Sequence, residues 1–221
     1  MNDYILTTSN FNTVEALCNE ALSKSKFISI VGYPGAGKTT ALKAFANNKQ
    51  NVFYVRATAS MPAREFYSKL LQAMGVEGKE SGVSLHDLIS NISFRLNFNS
   101  IRKLIIMDEA GKFKPKFLEY IHELRDNTEA TTGIIFAGPQ YFKDNIEKWV
   151  NKGIVGIPEV YRRINHWEEL SPIQKTEVRA IANHFGINDE SFITRVFKTS
   201  ENFAEVRYRI DEHLYKQSFI E

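Results

Sequence analysis

Eight consecutive residues, Gly32-Tyr33-Pro34-Gly35-Ala36-Gly37-Lys38-Thr39, have the types and spacing that handle phosphate. Glycines let successive backbone N–H groups turn inward around an anion, and a helix starting there adds partial positive charge. At this spacing Lys38 reaches the β- and γ-phosphates of a nucleoside triphosphate, and the Thr39 hydroxyl ligates Mg²⁺. Gly32, Pro34, Gly35, Ala36, Gly37 and Thr40 complete the candidate nucleotide-binding set. The flanks fit. Phe27-Ile28-Ser29-Ile30-Val31 reads as a buried strand, and the stretch from Thr40 to Ala46 as a helix. That context separates a phosphate loop from a chance glycine-rich turn. Guanine recognition through Asn-Lys-x-Asp is missing, since Asn48-Lys49-Gln50-Asn51 fails at its end. ATP with Mg²⁺ is the implied ligand.

Two acids end the apolar run Lys103-Leu104-Ile105-Ile106-Met107-Asp108-Glu109. Beside a phosphate loop, Asp108 is expected to hold Mg²⁺, largely through water, and Glu109 to polarise the water that attacks the γ-phosphate. Gln140 lies just past a further strand, Gly133-Ile134-Ile135-Phe136-Ala137-Gly138, where it either touches the γ-phosphate or the attacking water or is an ordinary turn residue. Arg162 and Arg163 are either surface charge or a finger reaching a neighbouring subunit's γ-phosphate, a task that suits a permanently charged, bidentate guanidinium. Lys112, Lys114 and Lys116 alternate with Phe113 and Pro115 in a solvated loop or a DNA-phosphate contact. Arg56, Thr58 and Arg64, after the second strand, are further candidates for DNA contact.

These groups need a framework of alternating helices and strands. Phe11, Val14, Leu17, Cys18, Ala21 and Leu22 mark the face of a first helix, with Ser9 or Asn10 as its N-cap. That helix lies over the nucleotide base or packs on the sheet. After the phosphate loop and its helix, a turn at 47–50 leads to Val52-Phe53-Tyr54-Val55, a second strand. Pro62 opens a helix through Phe66, Leu70, Leu71 and Met74 that stops near Gly75. A linker with Gly78 and Gly82 precedes a helix through Leu85, Leu88, Ile89, Ile92 and Leu96. Further helices carry Phe117, Leu118, Ile121 and Leu124, then Phe142, Ile146, Trp149 and Val150. A last strand-like stretch covers His166 to Leu170. Beyond Ser171-Pro172 only helices are expected, from Lys175 to Phe185, Asp189 to Thr199 and Phe203 to Tyr215. The predicted fold class is α/β, a three-layer αβα unit with a parallel sheet over residues 1–170, with a small helical lid at 171–221.

Bulk composition excludes several classes. The 221 residues are 43% hydrophobic and 24% charged, ordinary for a globular protein. No apolar run approaches a membrane span, and the first residues lack the pattern of a signal peptide. The single cysteine, Cys18, rules out an intramolecular disulfide and reads as a small core residue, which fits a cytoplasmic location. The net charge of +2 leaves any DNA binding to a local patch or to many subunits acting together.

The order of parts resembles an AAA+ ATPase, a branch of the P-loop NTPases, over nearly the whole chain. Three stretches are similar to the Mu B and TnsC group of DNA-transposition ATPases. They are the first helix running into Ser29 to Thr40, then Met107-Asp108-Glu109-Ala110, then Leu124-Arg125-Asp126 before Gly133 to Gly138. The resemblance implies ATP-dependent assembly into rings or helical filaments on duplex DNA, with a transposase as partner. It makes Arg162 or Arg163 the arginine finger and Gln140 the first sensor. One departure stands out. The second sensor is an arginine in a Gly-Asn-Phe-Arg-like run, and Glu201-Asn202-Phe203-Ala204 has alanine there, leaving Arg207, one turn later, as a substitute.

The function so implied is an ATPase that oligomerises on DNA without sequence preference and directs or activates a transposase. No helix-turn-helix or zinc-finger pattern is evident, so contacts would be to the DNA backbone. The alternatives are a helicase-loader or replication-initiation ATPase, and a protein-binding nucleotide switch without DNA.

Overall fold

Four short runs rich in apolar residues, mostly buried, and one short polar run form a single parallel sheet, whose inner strands are covered on both faces by helices. The computed structural model describes residues 7–47, 49–76 and 82–219. The strands are β1 (Phe27–Val31), β2 (Val52–Arg56), β3 (Lys103–Asp108), β4 (Thr132–Gly138) and β5 (His166–Glu169), all parallel in the order β2-β3-β4-β1-β5. The register pairs Val31 with Gly138 and Arg56 with Asp108, so β1, β2, β3 and β4 end on one rim. β5 is short and only partly covered, as an edge strand should be.

One face of the sheet carries α1 (Ser9–Lys24) and α2 (Lys38–Ala46), whose Val14, Cys18, Ala21, Leu42 and Phe45 pack on Ile28, Ile30, Ile106 and Ile135. The other face carries α3 (Ala63–Ala73), α4 (Leu85–Asn97), α5 (Pro115–Thr128), α6 (Gln140–Asn151) and α7 (Ile157–Arg163) over a larger, aromatic-rich core. There Phe113 and Phe117 stack with centroids 4.2 Å apart. The last three helices, α8 (Lys175–His184), α9 (Glu190–Thr199) and α10 (Phe203–Gln217), close around a separate core that includes Val178, Phe192, Val196, Val206 and Ile210.

Several local expectations are corrected. The N-cap of α1 is Thr8, whose hydroxyl accepts from Phe11 N, because the helix already begins at Ser9. Neither Ser9 nor Asn10 caps it, and Asn10 is buried. Pro62 is the N-cap of α3 and precedes its first turn. Arg56 is the last residue of β2 and lies outside the loop beyond it. The arginine pair ends a short helix, α7, opened by a left-handed Gly156 and Pro158. Gly78, Asn48 and residues 1–4 lie outside the described residues.

At the opposite rim Arg125 is a structural staple. It is 4% exposed and donates to Thr132 O at 2.8 Å and Ser25 O at 2.9 Å, tying α5 to the start of β4 and the end of α1.

Candidate active site

The loop after β1 folds around its glycines. Gly35 and Gly37 have φ of +80° and +88°, a region that side chains with a Cβ rarely adopt, and Gly37 starts α2. Lys38 donates from Nζ to Gly32 O at 2.6 Å and Tyr33 O at 2.9 Å. Burial pushes its ammonium below the usual lysine range, and the nearby Asp108 and Glu109 oppose that shift. Apolar β3 carries Asp108 to the same rim, at 2% exposure. Thr39 Oγ1 donates to Asp108 Oδ2 at 2.8 Å, and Glu109 N to Asp108 Oδ1 at 2.8 Å.

Glu109 is one of two non-glycine residues with positive φ among those described, at +62°. Such a backbone costs on the order of 1–3 kcal/mol and persists at sites where surrounding structure enforces it. A 3-10 turn at Ala110–Lys112 follows directly. Its carboxylate pairs with Arg56 Nη2 at 3.0 Å. That pairing raises the arginine's already high pKa.

A cavity of about 1040 Å³ opens over this rim. Its walls are the glycine loop, Thr39, Thr40, Arg56, Asp108, Glu109, Gly138 and Pro139. Thr8 and Phe11 at the start of α1 close one side, and Ile181, His184, Phe185, Phe203, Ala204 and Arg207 of the last helices close another. The first helix therefore packs on the sheet and also borders the cavity with its first turn. Arg207 lies over the Phe185 ring at 4.2 Å and pairs with Asp211 at 2.9 Å.

The last three helices are docked onto the loop and the first helix. A Cβ at Gly35 would collide with Asn202 Oδ1, the side chain that caps α10. Asn10 donates from Nδ2 to Ser171 O at 2.9 Å and reaches Ala36 O at 3.4 Å. Ser9 Oγ donates to Glu177 Oε1 at 2.7 Å.

The remaining candidates are scattered. Gln140 begins α6 and is not among the cavity's lining residues, although its Oε1 is buried without a hydrogen-bond partner. Arg163 is clamped by Asp126, with Nη2 to Oδ2 at 2.9 Å, and donates to Glu159 O at 3.1 Å. Arg162 is exposed and forms no ion pair among the described residues. Thr58, Lys112, Lys114 and Lys116 line a second hollow of about 360 Å³ at the N-terminus of α3. Arg64 is absent from that lining and donates to Val83 O.

Sequence reasoning missed Tyr54, whose hydroxyl donates to Asp108 Oδ2 at 2.6 Å. Strand alternation held the signal, because Tyr54 shares a face of β2 with Arg56, and Arg56 lies opposite Asp108. Asn10 and Asn202 were missed as ties between the loop and the C-terminal segment.

The donor set fits Mg²⁺. A hydroxyl and a carboxylate are hard oxygen ligands, and this cation commonly takes few protein ligands and completes its shell with phosphates and water. No cluster of three or more His, Cys, Asp or Glu able to cage a metal occurs among the described residues.

Residues 20–146 match the AAA domain family. This chain belongs to that family. The AAA protein is 25% identical over 175 residues to the Mu-like prophage FluMu DNA transposition protein B of Haemophilus influenzae, covering 77% of this chain and 58% of that protein. It is also 25% identical to the ATP-dependent target DNA activators B of Escherichia phages D108 and Mu, over 76% of this chain and 52% of each. The chain thus spans little more than half the length of these relatives. Among solved structures, the Aeropyrum pernix ORC1 protein in complex with DNA superposes with a TM-score of 0.70 at 15% identity, covering 99% of this chain and 63% of that one. The ORC2 protein from the same organism, in ADPNP-ADP complexes, gives 0.68 at 15% identity, with 95% and 63% covered. These likenesses show the fold, an α/β P-loop NTPase. No helix among the described residues is long and apolar enough to cross a membrane.

Proposed function

We propose that this AAA protein is an ATPase that assembles on duplex DNA through its backbone and directs or activates a transposase. The observation that carries the reading is the convergence of Lys38, Thr39, Asp108 and Glu109 on one cavity that the lid helices close. The relatives named for transposition and target DNA activation supply the biological direction. Lys38 and the loop N–H groups bind the phosphates. Thr39 and Asp108 would hold Mg²⁺, which when bound neutralises phosphate charge. Glu109 accepts the attacking water's proton once it leaves Arg56. Phe11, Ile181 and Phe185 form the apolar part of the cavity, suited to the base. Arg207 stands in for the arginine missing at Ala204.

Arg162 is the better finger. It is exposed and unpaired among the described residues, whereas Asp126 and Glu159 hold Arg163 to its own subunit. Residues 1–170 then form the nucleotide-binding domain and 171–221 the lid. The hollow lined by Thr58, Lys112, Lys114 and Lys116 supplies DNA-phosphate contacts, with affinity falling steeply as salt rises.

Negative-stain microscopy with duplex DNA in ATP, in ADP and without nucleotide tests this. Rings or filaments on DNA only with ATP, lost in Lys38→Ala and Arg162→Ala, support the reading. Single subunits under every condition overturn it.

A further inference from the structure

Asp108 is a nearly buried carboxylate with three donors on it. Glu109 N serves Oδ1, while Thr39 Oγ1 and Tyr54 Oη both serve Oδ2, at 2.8 Å and 2.6 Å. Thr39 is itself a candidate cation ligand, so its hydroxyl has two tasks. Tyr54 has one. It is not among the cavity's lining residues and reaches the acid from the neighbouring strand. Lys43 Nζ lies 6.0 Å from its ring centroid, and the strand and α2 hold the ring between them.

We propose that Tyr54 is the positioning residue of the cation site, a fixed donor that keeps Asp108 Oδ2 aimed when the Thr39 hydroxyl turns toward the metal. The proposal rests on the reading of Thr39 and Asp108 as the Mg²⁺ residues. Its physics is that of outer-shell groups generally, which orient a ligand they do not replace and whose loss weakens metal affinity about 10- to 100-fold. Burial, and then the contact with Asp108, raises the phenol above its usual range. Tyr54 and Arg56 lie on the same face of β2 and reach Asp108 and Glu109 respectively. A single edge strand thus handles both acids.

The test is titration calorimetry of ADP binding, in EDTA and at graded Mg²⁺, so that no turnover is needed. Tyr54→Phe should bind ADP in EDTA within about twofold of the wild type, and should need roughly tenfold more Mg²⁺ for half of the metal-dependent gain. Asp108→Asn should show the same defect more strongly. A purely structural tyrosine would lower the thermal midpoint and leave the Mg²⁺ half-point alone. That result overturns the proposal while sparing the Mg²⁺ reading of the site. A wild type whose ADP affinity ignores Mg²⁺ overturns both. Should Tyr54→Phe unfold at the assay temperature, the same titration is run below its midpoint in a stabilising osmolyte, and an unshifted half-point there overturns the proposal equally.

Discussion

Replacing Arg56 with alanine is expected to raise the resting rate of ATP hydrolysis. Glu109 cannot act on water while its carboxylate is paired 3.0 Å from the Arg56 guanidinium. The two side chains are 53% and 31% exposed, so solvent screens the pair and its worth is about 0.2–1 kcal/mol. Removing that hold raises the fraction of free Glu109, and with it kcat, by about 1.4- to 5-fold. Steady-state phosphate release without DNA measures it. Raising the salt concentration screens the same pair, so the wild-type rate should climb towards that of the variant, whose own rate stays flat. Glu109→Gln should abolish turnover in both backgrounds. If DNA phosphates compete for Arg56, the variant should also lose part of its stimulation by DNA. A kcat for Arg56→Ala at or below the wild-type value, with the salt response intact, would refute the reasoning.

Other expectations follow from single contacts. Gly35→Ala combines a disfavoured backbone, at about 1 kcal/mol or more, with a collision against Asn202, so differential scanning should show a lower midpoint and ADP should bind more weakly. Arg125→Leu strands the Thr132 and Ser25 carbonyls and should cost about 2 kcal/mol or more in urea unfolding, with little effect on KM if the protein is assayed well below its midpoint. Burial pushes the Cys18 thiol up to about 12 from 9.0. The folded state therefore keeps a proton that the unfolded state loses, and this contribution to stability is complete below pH 9.0 and disappears as pH rises towards about 12. Alkylation at pH 8 should accordingly be slow in the native protein and fast in urea.

The phosphate loop was legible because everything it needs is local: glycines, lysine, hydroxyl and the two flanking elements fall within twenty residues. The first four strands were legible as apolar runs, and the last three helices as amphipathic periods. What the sequence withheld was register. Tyr54 reads as one more apolar residue of Val52-Phe53-Tyr54-Val55 until β3 is laid beside it, when its hydroxyl meets Asp108. Arg56 reads as loop because it is charged, yet it pairs opposite Asp108 as the last residue of β2. Asn10 looks like a cap by type, and its burial against Ser171 appears only once the last helices are docked. The split between Arg162 and Arg163 depends on Asp126, on a different helix, which no local pattern announces.

The position of β1 sets a timetable for biosynthesis. Its neighbours in the sheet are β4 and β5, so Phe27 waits for Ile134 and Ile28 for His166. At roughly 5–20 residues per second, an emerging β1 stays unpaired for about 5–20 s before its first partner strand is made. Throughout that interval one of the most apolar segments of the chain is exposed beside a nascent α1. The nucleotide loop cannot take its shape until most of the polypeptide has left the ribosome. Chaperone demand should therefore fall on the segment between β1 and β4, and ATP can stabilise the fold only after β4 has been made.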